Sequence, residues 1–271
     1  MERSLGLMCG AGGLPARMAE EARRRGWRVI AFAFDDASDI AARVDRVVPS
    51  RLTQLGPVFT ALRAEGISTA LFSGRFSTPD LLRADAGALD SVFRGVGERA
   101  GSRVDAKVSD ALMATLGALG VEVLDQRAFV GDWLVDTGRS SARQPTEGEW
   151  YDVRRGLAAA RVIAEARIGQ TVVVRHGAVV AVEGVEGTTE TVRRGAALGG
   201  RGAVVVKAVA RDHDYRFDAP AVGAETLIAA AEGGVAVVAL EANRVVLLDR
   251  AETLRIADAA GIAVVGIDGA P

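Results

Sequence analysis

The feature that most constrains this chain is the alternation of short apolar runs with longer segments rich in helix-forming residues. Leu5 to Cys9, Trp27 to Phe34 and Thr69 to Phe72 are such runs, and each has the length of a strand buried on both faces. Strands that alternate with helices favour a mostly parallel sheet with helices on both sides. Because 49% of the 271 residues are apolar, a sizeable core can form, and we predict an α/β protein.

A polar segment near the middle of the chain predicts a division into two domains. Residues 132–149 are rich in Asp, Ser, Gly and Pro, which is typical of a linker. We assign residues 1–131 to an N-terminal Rossmann-like parallel-sheet domain and residues 150–271 to a C-terminal mixed α/β domain. In the second domain, Thr171 to Arg175 and Ala178 to Glu183 flank a short turn with glycine, which predicts a hairpin.

Charge and composition exclude several classes of function. A formal net charge of −2 argues against a nucleic-acid-binding surface, which needs a concentrated basic face. The single cysteine, Cys9, has no cysteine partner for a disulfide or a zinc site, and we interpret it as a small buried residue. Only two histidines occur, so carboxylates remain as the main acid, base or metal-binding groups.

The sequence also predicts where the protein works. No apolar run has the eighteen or so residues needed to span a bilayer. The first residues, Met1 to Ser4, include an acidic residue where a signal peptide has basic ones. We therefore expect a cytoplasmic protein.

Two loops of the first domain are candidate binding sites. Gly10, Gly12 and Gly13 lie at a strand-to-helix turn, where backbone amides and the helix dipole attract phosphate. Gly74 and Arg75, with Ser77 to Asp80 behind them, follow the next strand, and such an Arg can pair with a phosphate. A tight turn without a ligand and an ordinary surface loop are the alternatives. Since both loops end strands, we expect them to face one cleft.

Two acidic segments of the second domain are candidates for a metal site. Glu183 and Glu186, with glycines between them and Thr188 behind, end a predicted hairpin strand, and their carboxylates suit a hard cation. Asp212 to Pro220 holds three Asp, one His and Arg216, a density that suits a magnesium–phosphate site. Solvated turns would have a similar composition in both places, although Phe217 and Pro220 favour a packed segment.

Taken together and in this order, these stretches resemble the LpxI-type UDP-2,3-diacylglucosamine pyrophosphatases of lipid A biosynthesis. The matching segments extend along nearly the whole chain: Leu5-Gly6-Leu7 with Gly10 to Pro15, Gly74-Arg75 with Pro79-Asp80, Ile168 to Val174, Ala181 to Glu183 with Glu186 to Thr188, Arg216 to Asp218 with Pro220 and Gly223, and Gly261 to Asp268.

This resemblance implies magnesium-dependent hydrolysis of UDP-2,3-diacylglucosamine to UMP and lipid X (2,3-diacylglucosamine 1-phosphate), at a cleft between two domains. It also implies a homodimer that contacts the inner membrane peripherally. Asp218 matches the essential aspartate of the family, and Asp214, Asp218 and Glu186 are our predicted Mg²⁺ ligands. The predicted substrate-binding residues are Gly10, Gly12, Gly13, Gly74, Arg75, Gln170, Thr188 and Arg216.

Two other functions stay open at this point. Thr189 stands where the family usually has Asp, which favours a diverged, inactive nucleotide- or lipid-binding homologue. A nicotinamide-linked oxidoreductase is suggested by a glycine turn after the first strand. Its glycine spacing does not match the dinucleotide fingerprint, and no Tyr-Lys or His pair for proton transfer is evident.

Overall fold

A computed structural model describes residues 3–76, 78–101 and 106–269. Met1 and Glu2, which entered the signal-peptide argument, and Ser77 of the second candidate loop lie outside the described residues. The chain forms two compact units. The first holds the residues up to Val130 together with Asp214–Ala219, and the second holds Gly131–His213 and the residues from Pro220 onward.

The first unit is built on a five-stranded sheet in the order β3-β2-β1-β4-β5. All neighbouring strands in it are parallel, which confirms the predicted parallel sheet. The strands are β1 Arg3–Cys9, β2 Trp27–Ala33, β3 Arg46–Pro49, β4 Thr69–Ser73 and β5 Glu122–Val123.

Helices connect these strands and cover the sheet. They are α1 Leu14–Arg24, α2 Leu55–Ala64, α3 Thr78–Arg83, α4 Ser91–Ala100, α5 Ala106–Ala118 and α6 Arg127–Val130. Met8, Phe32 and Phe72 pack against apolar side chains of α2, α4 and α5 in one core cluster. Helix α1 has Pro15 in its first turn and two arginines in its last, and its buried stripe includes Met18.

A short segment from late in the chain, Asp214–Ala219, packs within the first unit. The Phe217 ring lies 5.5 Å from that of Phe72 and 6.3 Å from that of Phe76. Tyr215 is buried beneath the Arg127 guanidinium, which lies 4.3 Å above its ring. The predicted division placed this segment in domain 150–271. The structure assigns it to the first unit because its aromatic side chains bury their surface there.

The second unit contains a six-stranded mixed sheet in the order β6-β13-β11-β9-β7-β8. Its three central strands are parallel, while β7 runs antiparallel to β8 and β9, and β6 antiparallel to β13. This confirms the predicted hairpin and mixed α/β unit. The strands are β6 Gly138–Arg139, β7 Thr171–Arg175, β8 Ala178–Val182, β9 Val204–Lys207, β11 Val237–Glu241 and β13 Ala263–Ile267; β10 Ala221–Val222 and β12 Val246–Leu247 form a separate parallel pair.

Four helices cover this sheet: α7 Glu147–Glu165, α8 Thr188–Gly199, α9 Ala224–Glu232 and α10 Arg250–Ala260. Helix α7 begins at a capping box between Thr146 and Glu149, and its buried face meets Val172, Val206 and neighbouring strand residues. The other three helices pack against a second apolar cluster. Among the described residues, no helix is both long enough and apolar enough to cross a bilayer.

The predicted linker, residues 132–149, belongs to the second unit. Strand β6 extends the sheet beside β13. The hydroxyl of buried Ser141 donates to the Ile262 carbonyl at 3.0 Å and accepts from the Val264 amide at 2.7 Å. Ser141, one of the polar residues that suggested a linker, therefore satisfies backbone groups at and just before β13.

Candidate functional site

The two predicted loops of the first unit lie side by side. Ala11 and Arg75 form an antiparallel bridge with hydrogen bonds of 2.8 and 2.9 Å, and the Gly10 amide donates to the Ser73 carbonyl at 2.9 Å. A Cβ atom on Gly10 would lie 2.5 Å from the Arg75 carbonyl oxygen, and one on Gly74 would lie 2.7 Å from that of Ala11. Both positions therefore need glycine, because backbone approaches backbone there.

A pocket of about 250 Å³ opens beside the glycine loop. It is lined by residues 9–13 and by Asp35, Asp36, Ser38 and Asp39, among others. Helix α1 begins at this pocket without a side-chain cap and without an acidic residue in its first turn. Its amides and dipole are therefore suited to an anion.

Cys9 lines the same pocket, but its thiol is unreactive. Its side chain is buried and its thiol donates to the Leu7 carbonyl at 3.2 Å. Burial raises the pKa of the Cys9 thiol far above its ordinary value, so the thiolate is not populated at neutral pH. The predicted interpretation of Cys9 as a small buried residue is confirmed.

The segment Asp214–Ala219 carries a network of alternating charges. The Arg216 guanidinium donates to both Asp214 oxygens, at 2.7 to 3.2 Å. A similar pair joins Arg127 to Asp125. Burial would raise the pKa of Asp125, yet the hydrogen bonds from Arg127 outweigh it and leave that pKa low. The hydrogen bond to Asp214 raises the pKa of Arg216, and the charges of Asp110 and Asp125 add to this.

The predicted Mg²⁺ ligands fall into two groups. Asp214 and Asp218 share one short segment of the first unit, where the Asp218 side chain is exposed and its amide donates to the Asp214 carbonyl at 3.4 Å. Glu186 belongs to the second unit and is held in its own turn by Arg194 at 2.5 Å and by the Gly184 amide at 3.1 Å.

The chemistry of the first group suits magnesium. Mg²⁺ is usually bound by one or two carboxylates together with substrate phosphates, and seldom by a complete protein cage. Asp214 and Asp218 supply two carboxylates, and Arg216 supplies a cation for phosphate oxygens. Within the described ranges, no three Asp, Glu, His or Cys side chains converge as a preformed metal cluster.

A buried polar cluster in the second unit joins three residues singled out from the sequence to one that the sequence analysis missed, Lys207. Lys207, which is only 3% exposed, ends β9 and donates to the Thr188 hydroxyl at 2.8 Å. That hydroxyl in turn donates to Glu183 at 2.9 Å, and the Gln170 amide donates to Glu183 at 3.0 Å. The predicted substrate-binding residues Gln170 and Thr188 are thus brought together around Glu183. A lysine at the end of an apolar strand was the available signal.

Position 189, where the family usually has Asp, has a packing role here. Thr189 is buried in the first turn of α8, and its hydroxyl lies 3.0 Å from that of Thr226 on α9. The two hydroxyls satisfy one another, so Thr189 suits the contact between these helices.

Comparisons with known proteins give a consistent result across the chain. A family model described as the LpxI N-terminal domain matches residues 4–133, and one described as the LpxI C-terminal domain matches residues 136–265. The UDP-2,3-diacylglucosamine pyrophosphatase LpxI of Caulobacter vibrioides is 33% identical over an alignment of 284 residues, which covers 98% of this chain and 98% of that protein.

Two solved structures show only a distant likeness. They are N5-carboxyaminoimidazole ribonucleotide synthetase from Thermotoga maritima, with 14% identity and a TM-score of 0.25, and glycinamide-RNase-transformylase T from Mycobacterium tuberculosis, with 16% and 0.26. Each match covers 67% of this chain but only 41% and 44% of the other chains.

Proposed function

The chain belongs to the LpxI family, and we propose that it hydrolyses the pyrophosphate bond of UDP-2,3-diacylglucosamine to UMP and 2,3-diacylglucosamine 1-phosphate in lipid A synthesis. The observation that carries this proposal is the 33% identity to the Caulobacter enzyme over 98% of both chains. Family models that match both halves of the chain add support.

Hydrolysis of a pyrophosphate requires that charge on the leaving phosphate be neutralised and that a water molecule be aligned. In the proposed mechanism, the amides of the glycine loop and the Arg75 and Arg216 guanidiniums bind phosphate oxygens. The salt bridge to Asp214 holds the Arg216 guanidinium in place. Gln170 and Thr188, in the cluster around Glu183, also bind substrate in this proposal.

We further propose that the activity depends on Mg²⁺ and that Asp218 and Asp214 are its ligands. Glu186 is a third proposed ligand. A bound Mg²⁺ ion would polarise phosphorus and lower the pKa of the attacking water. Asp218 suits the role of ligand because its carboxylate is exposed on a segment that Phe217 anchors in the first unit.

A UMP-release assay with purified substrate tests the proposal. We expect metal-dependent product from the wild type, none with EDTA, and a loss of at least about 100-fold for Asp218→Ala, since metal and electrostatic contributions are of this order. Asp212→Ala is the matched control, because Asp212 is an exposed acid of the same run. If Asp218→Ala behaves like Asp212→Ala, the assignment of Asp218 is wrong. Absence of metal-dependent product from the wild type would favour the inactive binding homologue.

The family resemblance also supports a cytoplasmic homodimer that meets its lipid at the inner membrane. The substrate named for the Caulobacter relative carries two acyl chains, which anchor it in a bilayer. Sedimentation equilibrium measures the dimer, and flotation with vesicles of anionic lipid measures the membrane contact. A monomer, or a protein that stays below the vesicles, would contradict the respective part of the proposal.

A further inference from the structure

The segment Asp214–Ala219 alternates between residues that face the first unit and residues that face outward. Tyr215 is buried, and Phe217 packs against the apolar core cluster of the first unit. Arg216 and Asp218, the residues that follow each of them, are exposed. The direction in which the exposed pair faces is therefore set by how firmly the inward pair is held.

Two consecutive residues at the start of α6 contact Tyr215. The Gln126 amide donates to the Tyr215 carbonyl at 3.1 Å, and the Arg127 guanidinium lies 4.3 Å above the Tyr215 ring. A cation over the face of an aromatic ring is attracted to it, and the attraction grows as water is excluded. Both the backbone and the ring of Tyr215 are thus held from the same short stretch of chain.

Asp125 fixes the orientation of the Arg127 guanidinium. The two Asp125 oxygens accept from Nε and Nη2 of Arg127 at 2.5 to 3.1 Å, and Asp125 Oδ1 also accepts from the Arg127 amide at 2.8 Å. A guanidinium bound at two of its nitrogens by one carboxylate has a defined plane. The face that Arg127 turns toward the Tyr215 ring is therefore fixed in advance.

The same arrangement recurs within the segment. Asp214 accepts from the Arg216 amide at 2.9 Å and from the Arg216 guanidinium at 2.7 to 3.2 Å. The hydrogen bond to Asp214, and then the charges of Asp110 and Asp125, raise the pKa of Arg216. The two Asp-x-Arg pairs are therefore close enough for their charges to interact, and Tyr215 lies where they meet.

We propose that Arg127 is a positioning residue: it holds Tyr215 and thereby fixes the direction in which Arg216 and Asp218 face. Its effect on the rate of reaction rests on the proposed function, in which those two residues bind phosphate and metal. Its effect on the order of the segment does not. Misplacement of a reacting group by about 1 Å can cost 100-fold in rate, so such an anchor matters for catalysis.

Steady-state kinetics of UMP release by the full-length protein test the effect on rate. We expect Arg127→Met to lower kcat about 10-fold and to raise KM less than about 3-fold, because it misplaces groups that act in the transition state. Arg127→Lys should restore kcat to within about 3-fold of the wild type, since an ammonium group can still lie over the Tyr215 ring.

Arg3→Met is the matched control. The Arg3 guanidinium lies 4.0 Å above the Trp27 ring in the same unit, where β1 and β2 begin. Its replacement removes the same kind of contact far along the chain from Tyr215, and kcat should stay at the wild-type value. All variants are compared at a temperature where thermal unfolding shows that they are folded.

Hydrogen exchange read by mass spectrometry tests the effect on the segment without catalysis. In Arg127→Met we expect the amides of Asp214–Ala219 to exchange about 10-fold faster than in the wild type, because local opening is easier once an anchor is removed. In Arg3→Met the same amides should exchange at the wild-type rate.

The outcomes separate this inference from the proposed hydrolysis. Wild-type exchange of the segment in Arg127→Met, or a wild-type kcat, would overturn the inference. A KM raised 10-fold or more at unchanged kcat would also overturn it, because Arg127 would then bind the substrate itself. If the wild type releases no UMP, the hydrolysis proposal fails, whereas faster exchange in Arg127→Met would still support Arg127 as the anchor of the segment.

Discussion

At the residue scale, a buried ion pair stands out in the second unit. Lys207 and Glu183 are both buried, with Lys207 Nζ 3.8 Å from Glu183 Oε2, and threonine hydroxyls and a backbone amide complete their hydrogen bonds. Burial would raise the pKa of Glu183, but the Lys207 charge and these hydrogen bonds outweigh it and hold that pKa below 4.5. The folded state therefore favours the ionised carboxylate.

This pKa predicts an acid-sensitive contribution to stability. A carboxyl group whose pKa is lower in the folded state stabilises the fold above its unfolded pKa, and the contribution is lost as the pH falls through the folded pKa. We expect the free energy of unfolding of the wild type to fall more steeply below about pH 4.5 than that of Glu183→Gln. Urea unfolding across this pH range measures it. Exposed Glu190, in the first turn of α8, is the control, and Glu190→Gln should follow the wild-type curve. An equal slope for Glu183→Gln would contradict this prediction.

Individual residues were predicted from the sequence only where local chemistry identified them. The glycines of both loops were found because glycine after a strand is a local signal, and Gly10 and Gly74 do lie against backbone. Lys207 was missed because its role depends on Glu183, just after β8, and on Thr188, at the start of α8, which only the fold brings to it. The lysine at the end of an apolar strand is a local signal, but a local pattern does not show which residues it pairs with.

At the element scale, helix α7 contains two glycines in different surroundings. A Cβ atom on Gly156 would lie 2.4 Å from Val206 Cγ2, where the helix packs on the sheet, whereas nothing lies within 4 Å of one on Gly148. The close packing of α7 on β9 thus requires the absence of a side chain at position 156.

We expect opposite effects from the same substitution at these two positions. Gly156→Ala should lower the free energy of unfolding by about 1–3 kcal/mol through overpacking. Gly148→Ala should raise it by about 0.5–1 kcal/mol, because alanine has the higher helix propensity. Thermal and urea unfolding of the two variants measure both. A stable Gly156→Ala protein would mean that α7 does not lie this close to Val206.

Most elements with a clear period or apolar run were predicted from the sequence, including β7 with both of its ends. Helix α8 was missed because its first turn, Thr188 to Thr191, consists of hydroxyl and acidic residues that resemble a solvated turn. In the structure, the Thr191 hydroxyl donates a hydrogen bond to the Gly187 carbonyl, and the Thr189 hydroxyl shares one with the Thr226 hydroxyl. Both hydroxyls therefore have partners. Tertiary contacts outweighed a weak local preference here.

At the scale of the whole molecule, the chain leaves the first unit at Val130, returns for six residues and leaves again. The sequence could not predict this return, because it depends on Phe217 meeting Phe72 and Phe76 across a long separation in the chain. A division into two parts was predicted from the polar segment 132–149, which in the structure belongs to the second unit.

The return segment predicts a link between packing and activity. Phe217→Leu should reduce the rate of UMP release about 10-fold, because it loosens the segment that presents Asp218. Phe93→Leu is the control, since Phe93 lies on α4 in the same core cluster, and the ring contacts of Phe217 among the described residues are with Phe72 and Phe76. Both variants should lose about 1–2 kcal/mol of stability. Equal rates of UMP release by the two variants, at a temperature where both are folded, would contradict the link between the packing of Phe217 and activity.

Because six residues of the first unit are synthesised late, this unit cannot be completed until most of the chain has been made. A ribosome that has made Val130 must add most of the second unit before Asp214–Ala219 emerges. At a synthesis rate of roughly 5–20 residues per second, several seconds pass before Phe217 is made, and until then it cannot cover the Phe72 and Phe76 rings of the nascent first unit. Translation speed and chaperone access during that interval therefore influence how much of the newly made protein matures correctly.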